Sequence, residues 1–139
     1  MSMHNFHLRL SCTYESSENK ISVLDVEVST EDGWQPLELS EASPGFLIYA
    51  YSIFTCQHTY MRLNAGENGL IIDSAEGDLQ LQASEEWLLE SIDVAFDVKL
   101  KSGTVTDEKT ALIIERMKQC PVSLNLPTHV AVNTTMNFS

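Results

Sequence analysis

Alternation of hydrophobic and polar residues marks the first third of the chain. The apolar members of two alternating runs are Phe6, Leu8, Leu10, Cys12 and Tyr14, then Leu24, Val26 and Val28. A period of two is typical of strands with one buried face. The polar segment at residues 15–19 predicts a turn between them, and a third short strand is predicted at residues 34–39 after Asp32-Gly33.

A different pattern begins after Ser43-Pro44. Between residues 46 and 64 apolar residues follow one another almost without interruption, which is typical of a helix that is buried on nearly all sides. Ser43 is predicted to cap this helix and Pro44 to occupy its first turn. We expect the helix to end near Gly66 or Gly69, because glycine readily adopts the left-handed conformation that closes helices.

The second half of the chain also contains strands followed by a helix. Two strands are predicted at residues 70–83, with an interruption at Gly77, and at residues 92–100. Thr106 is predicted to cap a second core helix, which has acidic residues in its first turn and basic residues in its last, as the helix dipole favours. A last strand is predicted at residues 130–138.

These elements predict a single α+β domain over residues 1–139. Their order is βββ-α-ββ-α-β, and we expect two core helices against an antiparallel sheet. A length of 139 residues suits one domain, and a hydrophobic content of 43% is ordinary for a globular protein.

The charge of the chain argues against several classes of partner. There are 8 Lys and Arg against 20 Asp and Glu, a net charge of −12. Nucleic acids and anionic membranes are bound through clusters of cations, so we expect neither as a partner. The first ten residues have no signal-peptide pattern, and the most apolar stretch, residues 46–54, is about half the length of a membrane span. We therefore expect a cytoplasmic protein.

Three cysteines carry the candidate chemistry. Cys12 lies on the apolar side of the first strand and is interpreted as a packing residue. Cys56 lies within the apolar helix, and Cys120 ends the second helix directly before Pro121. The last two are interpreted either as small core residues or as a redox pair, in which one thiol is oxidised and the other then forms a disulfide with it. The second interpretation requires the fold to bring the two together.

Metal binding is not indicated by the sequence. The histidines and cysteines lack the paired spacing of a zinc site. His58 is badly placed to act with Cys56, because helix residues two positions apart point in different directions.

Two motifs resemble the OsmC/Ohr superfamily, which comprises osmotically inducible protein C and the organic hydroperoxide resistance proteins. The first is Ser43-Pro44 followed by the apolar helix with Cys56 and by Tyr60-Met61-Arg62, and the second is Cys120-Pro121-Val122-Ser123. The spacing of the two cysteines and the order of strands and helices are similar to the family along nearly the whole chain.

The resemblance implies a thiol-dependent peroxidase that reduces organic hydroperoxides and forms an intertwined homodimer with active sites at the subunit interface. Cys56 looks like the peroxidatic cysteine and Cys120 like the resolving cysteine of the family. A dithiol reductant would then reopen their disulfide. No metal, haem or flavin cofactor is implied.

The sequence departs from the family at two places. Active members carry a glutamate directly after the proline, where this chain has Gly45, and an arginine before the helix, where residues 15–46 contain none. Arg9 is predicted to lie on the solvent side of its strand, and Arg62 to point away from Cys56. Two alternatives therefore stay open: a non-catalytic OsmC-fold protein that binds an apolar small molecule or a partner, and a slow thiol sensor.

Overall fold

Six strands and three helices make up residues 3–139, the part of the chain that the computed structural model describes. The strands are β1 (His4–Glu15), β2 (Lys20–Thr30), β3 (Gly33–Pro36), β4 (Ile71–Ala83), β5 (Leu89–Ser102) and β6 (Ala131–Phe138). The helices are α1 (Gly45–Glu67), α2 (Asp107–Lys118) and α3 (Pro121–Leu124). The predicted α+β class and the order βββ-α-ββ-α-β are confirmed, with the single turn of α3 added before the last strand.

The strands form one mixed sheet in the order β3-β2-β1-β4-β5-β6. The first four neighbouring pairs in this order are antiparallel, as expected, but β6 lies parallel to β5. The expectation of an antiparallel sheet is therefore wrong for its last strand. The physical reason is the connection between them: α2 and α3 carry the chain back along the sheet, and a parallel pair needs such a long crossover.

The core lies between the inner face of the sheet and the helices α1 and α2. Its largest fully buried side chains include Phe54, Phe96, Ile53, Met61, Leu79, Ile113 and Met117. The strands β1, β4 and β5 contribute about every second residue, and the helices α1 and α2 contribute residues three or four positions apart. Burial of these apolar surfaces is the main favourable contribution to folding.

Helix α1 is not buried on all sides, which corrects the sequence prediction. Its buried residues form one stripe: Ala50, Ile53, Phe54, Gln57, His58, Met61 and Ala65. On the rest of its surface, Ile48 is 41% and Leu63 is 44% exposed. The continuous apolar run of α1 therefore contains two sets of residues. One set is buried against the sheet and α2, and the other set is exposed on the surface of the chain.

Two local predictions fail for reasons that the neighbouring residues explain. Ser43 does not cap α1, because its hydroxyl accepts the backbone N–H of Ser40 at 2.9 Å, and the helix begins at Gly45 without a side-chain cap. Gly77 does not interrupt β4. A Cβ at this position would lie 2.6 Å from the ring of Phe96, so the glycine lets that ring lie close against the strand.

The cap of α2 is confirmed. The hydroxyl of Thr106 accepts the backbone N–H of Lys109 at 3.1 Å, which satisfies one of the free N–H groups of the first turn. Asp107 and Glu108 lie in this first turn, and Arg116 and Lys118 lie in the last, as predicted. Each pair has the sign of charge that its end of the helix dipole favours.

Asn19 ties the β1–β2 turn to the rest of the fold. It is fully buried with φ of 55°, a left-handed conformation that asparagine tolerates better than most residues. Its side-chain amide donates to the carbonyl oxygens of Arg62 and Leu70 at 3.1 and 3.0 Å. Its side-chain oxygen accepts the backbone N–H of Ile72 at 2.8 Å. One side chain therefore joins the turn to α1 and to the start of β4.

The outer face of the sheet is acidic. A groove on this face is lined by Asp25, Glu27, Glu76, Asp78 and Asp97 together with Arg9. The Arg9 guanidinium donates to Glu27 at 2.8 Å and lies over the ring of Trp34 at 4.1 Å. Arg9 is thus on the solvent side of β1, as predicted. No helix among the described residues is long and apolar enough to cross a membrane.

Candidate active site

The fold places Cys56 and Cys120 side by side. Cys56 is half-buried in α1, whereas Cys120 is fully buried between α2 and α3. Both are free thiols, and Cys120 lies close enough to Cys56 to raise the pKa of the Cys56 thiol further, beyond the effect of burial. The contacts of α1 with α2 and with α3 bring together two residues that lie far apart in the sequence.

A proline turn directs backbone N–H groups at the two sulfurs. Pro121 begins α3, and Cys120 is the residue that caps it. The Cys120 sulfur accepts the backbone N–H of Ser123 at 3.4 Å, and its thiol donates to the Ser123 hydroxyl at 3.0 Å. The backbone N–H of Val122 lies near Cys56 and partly offsets the rise that burial causes in the pKa of this thiol. A thiolate on either sulfur would therefore have at least one N–H donor.

The ionisation of Cys56 is opposed by its surroundings. Burial, and then the hydrogen bond with Cys120, raise the pKa of the Cys56 thiol to about 11, while the Val122 N–H acts in the other direction. Among residues 3–139, no cation contributes to the pKa of this thiol. With that pKa, little of Cys56 is a thiolate at pH 7.

A chain of buried polar groups leads from the cysteine pair into the core. The side-chain amide of Gln57 donates to the Ser123 hydroxyl at 3.1 Å. The oxygen of the same amide accepts the hydroxyl of Thr134 at 3.1 Å. Gln57 is fully buried and Thr134 is 7% exposed. The network joins α1, α3 and β6, and it ends at the Cys120 sulfur.

Arg62 lies on a different side of α1 from Cys56. It donates to the backbone oxygen of Asn19 at 3.4 Å. Burial and then the charge of Arg62 lower the pKa of His58, whereas burial raises the pKa of Tyr14 and Arg62 only partly offsets that rise. Arg62 does not act on the pKa of Cys56. The Nε atom of Arg62 is buried without a hydrogen-bond partner among the described residues. The one arginine of α1 therefore faces away from the cysteine pair, as expected.

His58 belongs to a second, structural cluster. Its Nε2 atom shares a hydrogen bond of 2.6 Å with the Tyr14 hydroxyl, and its ring stacks on Phe96 with centroids 5.7 Å apart. Cys12 lies in the core at 2% exposure, as predicted, and burial raises the pKa of its thiol. Neither His58 nor Cys12 takes part in the network around Cys56 and Cys120.

His58 should make the protein sensitive to acid. Burial, followed by the charge of Arg62, lowers its pKa from 6.5 to about 4. Above pH 6.5 this ring is neutral in both the folded and the unfolded chain, so it contributes fully to the free energy of unfolding. As the pH falls below 6.5, the unfolded chain takes up the proton first, and the free energy of unfolding should drop by about 3 kcal/mol by pH 4.

Urea unfolding between pH 7 and pH 4 tests this expectation. His58→Gln should remove about 3 kcal/mol of the pH-dependent loss. His129→Gln, which changes an exposed histidine, is the matched control. Equal losses in His58→Gln and wild type would contradict the assignment.

No group of three or more His, Cys, Asp or Glu side chains within residues 3–139 is arranged to hold a metal ion.

Known proteins with the same arrangement of elements are found among solved structures. No protein-family model matches the sequence, and no curated protein sequence matches it. An OsmC-like protein from Mycoplasma pneumoniae is 11% identical, with a TM-score of 0.57 over 82% of this chain and 88% of that chain. An OsmC-like hydroperoxide resistance protein from Jannaschia sp. CCS1 is 13% identical, with a TM-score of 0.56 over 87% of this chain and 85% of that chain. The chain has the OsmC-like fold.

A third match among solved structures extends over still more of the chain. A hypothetical protein from Aquifex aeolicus VF5 is 11% identical, with a TM-score of 0.60 over 94% of both chains. At such low identities the likeness establishes the fold alone, so the chemistry of this OsmC-like chain must be argued from its own residues.

Sequence reasoning found the two cysteines of this OsmC-like chain but missed the polar groups that hold one of them. Gln57, Ser123 and Thr134 were not singled out as site residues. Gln57 is a polar residue within an apolar helical run and directly follows Cys56, which was an available signal. Thr134 gives no such signal, because it lies in a strand and threonine is common on both the buried and the exposed face of strands.

Proposed function

We propose that this OsmC-like protein is a cytoplasmic, thiol-dependent peroxidase that reduces organic hydroperoxides through Cys56 and Cys120. The observation that carries the proposal is the pairing of a half-exposed thiol with a buried one. The sulfur of Cys56 attacks the hydroperoxide, forming a sulfenic acid and releasing the alcohol. Cys120 then attacks the sulfenic sulfur, which forms a disulfide and releases water. A dithiol reductant returns the pair to its reduced form.

Aromatic side chains near Cys56 support an organic substrate. Tyr49 and Tyr60 lie seven residues before and four residues after Cys56, so the helical repeat places them on the same stripe of α1. Both are half-buried. Apolar rings at this stripe favour a hydroperoxide with a hydrophobic tail over hydrogen peroxide.

The uncovered apolar surface supports a homodimer as the working form. Ile48 and Leu63 of α1 are 41% and 44% exposed, although both belong to the apolar run of this helix. Large exposed apolar surfaces are typical of protein interfaces. A second copy of the chain over α1 would also enclose the half-exposed Cys56.

The test is peroxide consumption by the purified protein. We expect the wild type to consume cumene hydroperoxide faster than hydrogen peroxide when dihydrolipoamide is present, and to have twice the monomer mass of 15.6 kDa in light scattering. Without the dithiol, one equivalent of hydroperoxide should produce a Cys56–Cys120 disulfide detectable by mass spectrometry. No peroxide consumption and no disulfide would reject the proposal.

One observation favours a second candidate, a non-catalytic protein that binds an apolar small molecule at the same surface. The pKa of about 11 leaves little Cys56 thiolate at pH 7, and no cation among the described residues lowers it. Saturable binding of anilinonaphthalene sulfonate by the folded protein, together with no reaction of Cys56 with cumene hydroperoxide, would support this candidate.

A further inference from the structure

Strand β6 forms one edge of the sheet, and among residues 3–139 no strand lies on its outer side. Its eight residues, Ala131–Phe138, include no charged residue and no proline. At the opposite edge, β3 has only four residues and ends at Pro36. Proteins commonly protect sheet edges with short strands, charges or proline, because an open edge pairs readily with another strand. The β6 edge lacks these protections, so it is open to a further strand.

The outer side of β6 carries unpaired backbone groups. Directly after the strand, the N–H of Ser139 donates to Val98 and its carbonyl oxygen accepts the N–H of Leu100, both at 2.9 Å. Backbone groups alternate between the two sides along a strand, so the odd-numbered residues of β6 face β5 and the even-numbered ones face outward. The outward residues are Val132, Thr134, Met136 and Phe138. No backbone hydrogen bond within the described residues reaches their outward N–H and C=O groups.

A second copy of β6 would satisfy every one of these groups in a single register. In an antiparallel pair about a two-fold axis through Thr135, Thr134 lies opposite Met136 of the partner subunit, and Val132 lies opposite Phe138 of the partner subunit. Directly opposed outward residues of antiparallel strands exchange two N–H···O=C hydrogen bonds. The outer side of β6 is therefore complementary to itself.

Neighbouring registers satisfy fewer groups. An axis through Thr134 would place Phe138 opposite Val130 of the partner subunit, but the N–H of Val130 already donates to Pro127 at 3.1 Å. An axis through Met136 would place Val132 opposite a position beyond the end of β6. Of these axes, the one through Thr135 is the one that uses all the outward groups of the strand.

Side chains that would lie opposite each other in this register are also compatible. On the core side, Val132 and Phe138 are half-buried apolar residues that would cover each other. On the outer side, Asn133 would lie opposite Asn137 of the partner subunit, and each of these side-chain amides can both donate and accept. Thr135 would lie opposite Thr135 of the partner subunit, and threonine pairs are favourable neighbours across strands.

The charge of the chain favours contact at this edge. With a net charge of −12, two copies repel each other over most of their surface, but β6 itself is uncharged. The nearest carboxylates on β5, those of Asp93 and Asp97, accept the side-chain amides of Asn133 and Asn137 at 2.9 and 3.5 Å. Across the pair, carboxylates of the two copies would be three strand spacings apart, about 14 Å, which exceeds the Debye length of about 8 Å.

We propose that β6 is a pairing edge for a second copy of this chain, in which two β6 strands join antiparallel about Thr135 and the two sheets become one continuous sheet. This edge is separate from the exposed face of α1, and the pairing does not depend on the peroxidase function. Its hydrogen bonds replace hydrogen bonds to water, so the pairing is weak and forms in concentrated protein. Dilute protein keeps only the dimer proposed for α1.

Cross-linking through engineered cysteines tests the register. Opposed residues at the axis have Cα atoms about 4.5 Å apart, which a disulfide can span, so Thr135→Cys should form a covalent dimer under mild oxidation. Asn133→Cys is the matched control on the same exposed face. Two copies of residue 133 lie about 13 Å apart along the strands in this register, so they should cross-link at least about tenfold more slowly.

Mass spectrometry identifies the residues that are joined and separates this disulfide from any that involves Cys56. The double variant Asn133→Cys/Asn137→Cys should join residue 133 of one copy to residue 137 of the other. Cross-linking of Asn133→Cys as fast as Thr135→Cys, or no covalent dimer of Thr135→Cys, would overturn the proposal.

Light scattering at increasing protein concentration tests the pairing without any cross-link. The average mass of the wild type should rise with concentration, and Thr135→Lys should abolish the rise, because it places two ammonium groups directly opposite each other. Ala95→Lys is the matched control: Ala95 is exposed and pairs with Thr135 in the sheet, so the same charge is added one strand away from the edge. A constant mass of the wild type, or equal behaviour of the two lysine variants, would overturn the proposal.

Ile48→Lys separates this edge from the dimer proposed for α1. It places a charge on the exposed face of α1, so dilute protein should have the monomer mass of 15.6 kDa, and concentrated protein should reach twice that mass and no more. If the wild type behaves like this variant, the α1 dimer fails and the β6 pair stands. Growth of Ile48→Lys into fibrils that bind thioflavin T, in place of a closed pair, would overturn the proposal.

Discussion

Replacement of Cys56 by serine is expected to reduce the rate of hydroperoxide consumption by about 1,000-fold or more, down to the rate of the dithiol alone. The reason is that the attacking atom is lost: a serine hydroxyl is far harder to ionise than a thiol and does not form the sulfenic acid. Peroxide consumption in the presence of dihydrolipoamide measures the effect.

Cys12→Ser is the matched control for this experiment. It makes the same replacement of a thiol by a hydroxyl, but at a core position on β1 outside the cysteine pair. We expect it to lower the stability of the fold and to leave the peroxide rate per folded molecule unchanged. Cys120→Ser should still allow one turnover and should accumulate the sulfenic acid of Cys56, which dimedone traps. Full activity in Cys56→Ser would rule out the proposed mechanism.

The largest effect on stability is expected from Asn19→Ala, which should lower the free energy of unfolding by about 3 to 5 kcal/mol. The substitution leaves the carbonyl oxygens of Arg62 and Leu70 and the N–H of Ile72 without their side-chain partner. It also places a Cβ-bearing residue without a compensating polar group at a φ of 55°. Urea unfolding monitored by circular dichroism measures the loss.

Asn19→Gly separates the two causes. Glycine relieves the backbone strain but makes none of the side-chain hydrogen bonds, so it should be more stable than Asn19→Ala by about 1 kcal/mol and still much less stable than the wild type. Asn5→Ala, an exposed asparagine on β1, should change stability by less than about 0.5 kcal/mol. A loss below about 1 kcal/mol in Asn19→Ala would show that the turn is held by other contacts.

Much of the fold could be predicted because its signals are local. The alternation in β1, β4 and β5 reflects one buried face in each strand, and Thr106 with the charges of α2 reflects the needs of a helix end. The failures occur where a distant residue decides the outcome. Gly77 indicates a break when the strand is considered alone, but in the sheet the ring of Phe96 from β5 occupies the space above it. The parallel pairing of β6 likewise depends on where α2 and α3 lead the chain.

The order of strands and helices and the choice of Cys56 and Cys120 as candidate residues could be predicted from the amino-acid sequence alone, because they follow from residue type, period and motif. Three properties become visible only in the folded chain: the two thiols are neighbours, burial raises the pKa of Cys56, and Ser123 and Gln57 form a polar chain behind Cys120. The physical reason is that burial and hydrogen bonding are properties of groups from separate elements. Cys56 and Cys120 acquire their surroundings only when α1, α3 and β6 pack together.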